Sequence, residues 1–149
     1  MTSSINISVI EGAKIIPIIA PGSAVSVAIY NLESNREIFT AGELLPANKV
    51  VYITSGKAFI AGSDILASRN LVRGITIAAA ALGSQAVIAR IGRVTNSLWS
   101  WGSGGVLYLQ PNGEVGITPP STDGNYIQQI AIIQYSTTIL MAIGETIGI

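Results

Sequence analysis

The 149-residue chain contains no cysteine and no histidine. Without cysteine there is no disulfide framework, no thiolate metal site and no cysteine nucleophile. Without histidine the Ser-His-Asp triad, the common zinc sites and the usual general base are excluded. Charge is scarce too, at 11% of residues, against about 25% in an average domain. Eight basic side chains balance eight acidic ones, so no electrostatic field favours DNA or RNA. These absences argue against an enzyme, and no cofactor, metal or nucleic-acid partner is expected. The lack of cysteine also fits a reducing cytoplasm.

Long apolar runs are missing as well. Pro17, Pro21 and Gly22 interrupt the charge-free stretch 15–32, and Gly83, Ser84 and Gln85 interrupt 74–89. The stretch 125–143 is broken by Gln128, Gln129, Gln134 and Ser136-Thr137-Thr138. None reaches the ~20 continuous apolar residues of a spanning helix, so no membrane partner is expected. Met1-Thr2-Ser3-Ser4 lacks a basic region followed by an apolar core, so no signal peptide is expected. The sequence is nonetheless 49% apolar, with a mean hydropathy of +0.55. So greasy and weakly charged a surface is expected to be covered by copies of the chain or by a larger protein scaffold.

What is present reads as strand. Ile5-Asn6-Ile7-Ser8-Val9 alternates apolar and polar residues, as does the stretch 24–30, which places one row of side chains on a buried face. Residues 32–36 are polar and read as a loop. Lys49-Val50-Val51-Tyr52-Ile53, Ser55-Gly56 and Lys57-Ala58-Phe59-Ile60 form a hairpin signal. Residues 72–77 and 86–94 read as strands, with Arg90 and Arg93 on opposite faces. Alanine's helix preference allows one helical turn over 78–82. Val106-Leu107-Tyr108-Leu109 ends at Gln110-Pro111-Asn112-Gly113, a strong turn. Residues 126–135 and 138–143 close the chain as two strands joined near Ser136. In the last, Ile139, Met141 and Ile143 face one way and Leu140 and Ala142 the other, which implies cover on both sides. Short strands with frequent turns predict an all-β fold, a small β-barrel or β-sandwich with little or no helix. One domain is expected overall, with residues 1–40 as an extended N-terminal arm or added strands and residues 41–149 as the body.

The order of turns and strands in the body resembles a known family. It runs from Ala41-Gly42-Glu43-Leu44-Leu45-Pro46-Ala47-Asn48 through the hairpin to Val72-Arg73-Gly74-Ile75-Thr76, Gly83 and Gly92-Arg93-Val94. Gly105 to Leu109, Gly113, Thr118-Pro119-Pro120, Gly124, Tyr126-Ile127-Gln128-Gln129-Ile130-Ala131 and Ser136-Thr137-Thr138-Ile139-Leu140 complete it. This series is similar to the capsid cement, or decoration, proteins of tailed bacteriophages. The resemblance implies a homo-oligomer, with a trimer favoured and a dimer allowed. It would sit on the outer capsid surface of the virion against the major capsid protein, after synthesis in the host bacterial cytoplasm. It implies no reaction. Related modules in phage fibres and spikes give the alternative, a domain binding host glycan through an aromatic surface.

Candidate interface residues follow from the pattern. Ile5, Ile7 and Val9 form the apolar row of an arm that could add a strand to a neighbour, or the first strand of the chain's own barrel. Arg69, Arg73, Arg90 and Arg93 lie in a stretch, 65–113, that holds no acid, whereas 114–149 holds three acids and no base. They read as a basic patch facing an acidic partner or another subunit, or as a solvated set neutralised within the fold. Trp99 and Trp101, two apart, would share one face of a strand, as a platform for a sugar or partner, or as core or subunit interface. Ile139, Met141 and Ile143 complete the set. Gly102-Ser103-Gly104-Gly105 precedes a strand, not the helix that a phosphate loop needs. Asp123 lacks the companion acids of a calcium loop.

Overall fold

The computed structural model describes residues 13–18, 26–31, 35–102 and 104–149, with side chains described from Arg36 onward. It divides into two units, 1–33 and 34–149.

In the first unit β1 (Ala13–Ile18) pairs antiparallel with β2 (Ser26–Asn31), Ile15 opposite Ile29. Pro17 sits inside β1, opposite Val27. Proline lacks an N–H for the ladder, and within sheets it is confined to edge strands; among the described residues β1 pairs with β2 alone. Ile5, Ile7 and Val9 lie outside the described residues.

The second unit is all-β, a closed five-stranded barrel with further strands. The barrel runs β3 (Asn35–Ala41), β5 (Lys57–Ile60), β4 (Val50–Thr54), β6 (Val72–Thr76) and β7 (Gln85–Thr95), and β7 pairs back onto β3. The β4–β5 hairpin turns at Ser55 (φ 49°) and Gly56 (φ 73°), the paired positive angles of a type I′ turn. Past the barrel, β7 pairs with β11 (Thr138–Met141). That sheet continues through β10 (Tyr126–Tyr135) and β8 (Val106–Leu109) to β9 (Val115–Gly116), with β12 (Thr146–Gly148) also on β10.

Two hydrophobic clusters divide the wall of the barrel. Along β4, Val51 and Ile53 belong to an inner cluster with Ala41, Leu45, Ala58, Ala80, Ala86 and Ile88. Val50 and Tyr52 belong to an outer cluster, where Ile75 and Ala89 meet Leu107, Leu109, Ile130 and Ile139 of the second sheet. β4 is therefore apolar on both faces, with the barrel interior on one side and the packed sheet on the other. Barrel diameter grows with strand number, so five strands leave a narrow interior, and four alanines pack there around Leu45, Val51 and Ile88.

The structure corrects four expectations. Residues 35 and 36, expected in a loop, open a strand that runs to Ala41. The polar start Asn35-Arg36-Glu37 hides a strand whose outer face is solvated. Residues 78–82 form no helical turn, because Ala80 makes an extended bridge to Leu45 and fills the barrel end. β11 stops at Met141, and Leu140, on its other face, is only half-buried. Arg90 and Arg93 do not simply alternate, because β7 is bulged. Arg36 faces Ala89 while Asn35 faces Ile91, which leaves Arg90 as the extra residue.

A buried polar knot joins the two sheets. Ser68 closes a 3₁₀ turn (Leu66–Ser68). Its Oγ lies 2.7 Å from the Tyr126 hydroxyl and 2.8 Å from the Ile65 carbonyl. Tyr126 is fully buried, and burial raises its pKa above the usual tyrosine value. The Ser68 hydrogen bond lowers it in part, with smaller opposing effects from Asp64 (raising) and Arg69 (lowering). A raised folded pKa means that this group's stabilisation is complete below the unfolded value, about pH 10, and fades as pH rises through the folded value. Tyr126→Phe is expected to lose about 1 kcal/mol at neutral pH and to show a shallower alkaline decline than the parent. Thermal midpoints from pH 8 to 11.5 check this, and parallel alkaline curves would refute it.

Candidate functional site: a cleft between two bulged strands

Strand β6 carries a bulge of its own. Val51 faces Gly74 while Tyr52 faces Val72, which leaves Arg73 as the extra residue. Bulges re-aim side chains, and here two of them, on adjacent strands, deliver Arg73 and Arg90 to the same carboxylate. Glu37 of β3 accepts from Arg73 Nε at 2.6 Å and from Arg73 Nη2 at 2.7 Å, a bidentate pair. Arg90 Nη1 stands 3.8 Å from Glu37 Oε1, within ion-pair range and beyond a hydrogen bond. The Glu37 hydrogen bond holds the Arg73 pKa above its usual value, so this guanidinium stays charged throughout the physiological range.

Beside the two arginines opens a cleft of about 340 Å³, with Ile91, Met141 and Ile143 among its apolar walls and no acid in its lining. A second cleft, of about 300 Å³, lies on the other flank of Arg73, between Phe39, Ile53 and Leu71.

The structure therefore brings together four of the residues singled out from sequence, namely Arg73, Arg90, Met141 and Ile143. Glu37, which organises the arginines, has no signal of its own in the sequence, because it follows the polar stretch 32–36 directly and its strand pairs at long range with β7. Arg69 stands apart, its Nη2 about 3.2 Å from where a Cβ on Gly148 would lie, against β12. Arg93 is exposed and forms no ion pair among the described residues. Ile139 is fully buried in the outer cluster, so it has no surface to offer a partner. Among the described residues the C-terminal acids form no ion pair with these four arginines: Glu114 pairs with Lys49, and Arg73 is neutralised by Glu37 of β3.

No family model, curated protein or solved structure matched this chain. The functional reading therefore rests on the residues themselves.

Trp99 and Trp101 do not share a strand face. They lie in the loop between β7 and β8, where the Asn96 side chain accepts from Leu98 N at 3.0 Å and Trp101 N donates to the Ser136 carbonyl at 2.8 Å. Their rings are 6.0 Å apart, tilted by 49°, half-buried and packed on the outer cluster. Trp101 Nε1 is buried with no hydrogen-bond partner among the described residues. A sugar platform needs open rings with polar groups converging on them, and these rings are half covered by the outer cluster. Among the described residues, no group of three or more acids could hold a metal ion. None of the helices they form is long and apolar enough to cross a membrane.

Proposed function

We propose that this chain is a non-enzymatic structural protein that binds the outer face of a phage capsid as an oligomer and stabilises junctions between capsomers. The observation that carries this reading is the pairing of scarce charge with exposed large apolar side chains. Leu44 and Leu82, 67% and 70% exposed, flank the segments joined by the Leu45–Ala80 bridge at one end of the barrel. Ile38, Leu98 and Ile117 are exposed elsewhere on the body. Isolated apolar residues on a surface are ordinary, but the neighbouring leucines on so weakly charged a body favour association with protein. The ordered turns of the cement-protein resemblance supply the kind of partner.

The mechanism is mechanical. A shell under pressure from packaged genome opens first where capsomers meet. An oligomer bound across such a junction adds interface that must be lost before the junction opens, about 1,600 Å² for a standard contact. Several contacts per oligomer make each one effectively intramolecular once the first has formed, so modest contacts hold. Light scattering at micromolar concentration is expected to show an oligomer, with a trimer favoured. Particles lacking the chain are expected to release genome at lower temperature or milder osmotic shock. A monodisperse monomer together with unchanged release would overturn the proposal.

A further inference from the structure

We propose that the cleft between β6, β7 and β11 binds a carboxylate of a partner protein segment, presented by an acidic residue with aliphatic neighbours. This goes beyond the capsid reading and does not depend on it, because it rests on the local geometry alone.

The charge count comes first. Two guanidiniums, Arg73 and Arg90, meet one carboxylate, Glu37. Arg73 spends its Nε and one Nη on that carboxylate in a bidentate fork. Arg90 makes no hydrogen bond to it at 3.8 Å, and its side chain is 45% exposed. Arg90 therefore keeps a fork of donors suited to a second carboxylate. The lining of the cleft contains both arginines and no acid, and the nearby carboxylate, Glu37, is held by Arg73 in a bidentate pair, so the two guanidiniums still leave one positive charge for an incoming anion.

The shape and the walls set the rest of the ligand. The free charge amounts to one guanidinium, which matches a singly charged carboxylate better than a phosphate dianion. Beside it, Ile91 is 54% exposed, while Met141 and Ile143 offer their edges at the cleft. Such walls reward aliphatic side chains on either side of the acid, and methionine adapts to more than one shape. The bulges explain why the donors stand ready. Each arginine is the extra residue of its strand, and Arg73 is already fixed by Glu37, so the side-chain ordering on binding falls on Arg90 alone.

The probe is the peptide acetyl-Ile-Glu-Ile-amide, titrated into the intact protein and followed by amide and methyl NMR. Acetyl-Ile-Gln-Ile-amide and inorganic phosphate serve as parallel arms. The Glu peptide is expected to shift the Met141 and Ile143 methyls and the Arg90 Nε–H. The Gln peptide should bind about tenfold more weakly, since a hydrogen bond to a charged group is lost. Arg90→Gln, at an exposed position, should abolish that preference while leaving the rest of the spectrum intact. Equal binding of the two peptides, tighter binding of phosphate, shifts mapping elsewhere, or no shifts at all would each overturn the proposal. Oligomer size and particle stability are read in separate measurements, so failure of the cleft and failure of the cement role are distinguishable.

Discussion

Gly74→Ala is expected to be the most damaging single-methyl change in the body. A Cβ at Gly74 would lie 2.2 Å from the Ala89 carbonyl oxygen and 2.8 Å from Ile88 Cγ2. The first of these is backbone, and that backbone is held on both sides, by Arg36 of β3 and Ile75 of β6. It cannot yield without opening the β6–β7 seam, one residue from the Arg73 bulge. Overpacking of this kind costs roughly 3 kcal/mol, and the thermal midpoint should fall by roughly 10 °C. Gly83→Ala is the control. Gly83 has φ +80° and nothing within 4 Å, so only backbone strain of about 1 kcal/mol is at stake. If thermal melts gave the two variants equal losses, close approach would not be the reason for glycine at position 74.

Gly74 also shows what the sequence offers and where it stops. A glycine inside a strand pattern signals a bulge or a close backbone approach, and both occur there. The hairpin at Ser55-Gly56, the turn at Asn112 and Gly113 and the strand 126–135 were legible because each rests on local chemistry, positive φ or alternation. β3 was not legible. Its pairing to β7 is long-range, and it opens with polar residues of which Arg36 is exposed and Glu37 holds Arg73. The alanines at 78–82 misled for a different reason, since Ala80 is selected for its small volume inside a narrow barrel rather than for helix propensity.

The cleft was half legible. Composition marked the acid-free stretch 65–113 and thus Arg73 and Arg90, but two-residue periodicity put Arg90 and Arg93 on opposite faces and could not say which arginine meets which acid. That information lies in the two bulges. A bulge shifts the phase of a strand by one residue and is visible only when both partner strands are known. β10 repeats the lesson. Its buried positions change phase between Ile130 and Ala131, where its register against β8 shifts. The tryptophans were misassigned because their spacing was read as strand, whereas Asn96 starts a turn two residues earlier than Leu98.

The division of the barrel wall into inner and outer clusters predicts how the body unfolds. Ile88 fills the barrel interior and Ile75 fills the layer between the barrel and the second sheet, and both are fully buried. Truncation to alanine at either site is expected to cost about 2–5 kcal/mol, because each leaves a cavity that rigid strands cannot close. β7 belongs to both sheets, through β3 and β6 at one end and β11 at the other. The Ser68–Tyr126 contact ties them a second time. Neither layer can therefore open without exposing the apolar face of the other, so Ile75→Ala and Ile88→Ala should each shift one cooperative transition. Calorimetry paired with near-ultraviolet circular dichroism checks this, since Trp99 and Trp101 report on the outer layer alone. A tryptophan signal that melts ahead of the main transition in Ile75→Ala, but not in Ile88→Ala, would mean that the second sheet is a separable unit and that the barrel stands without it.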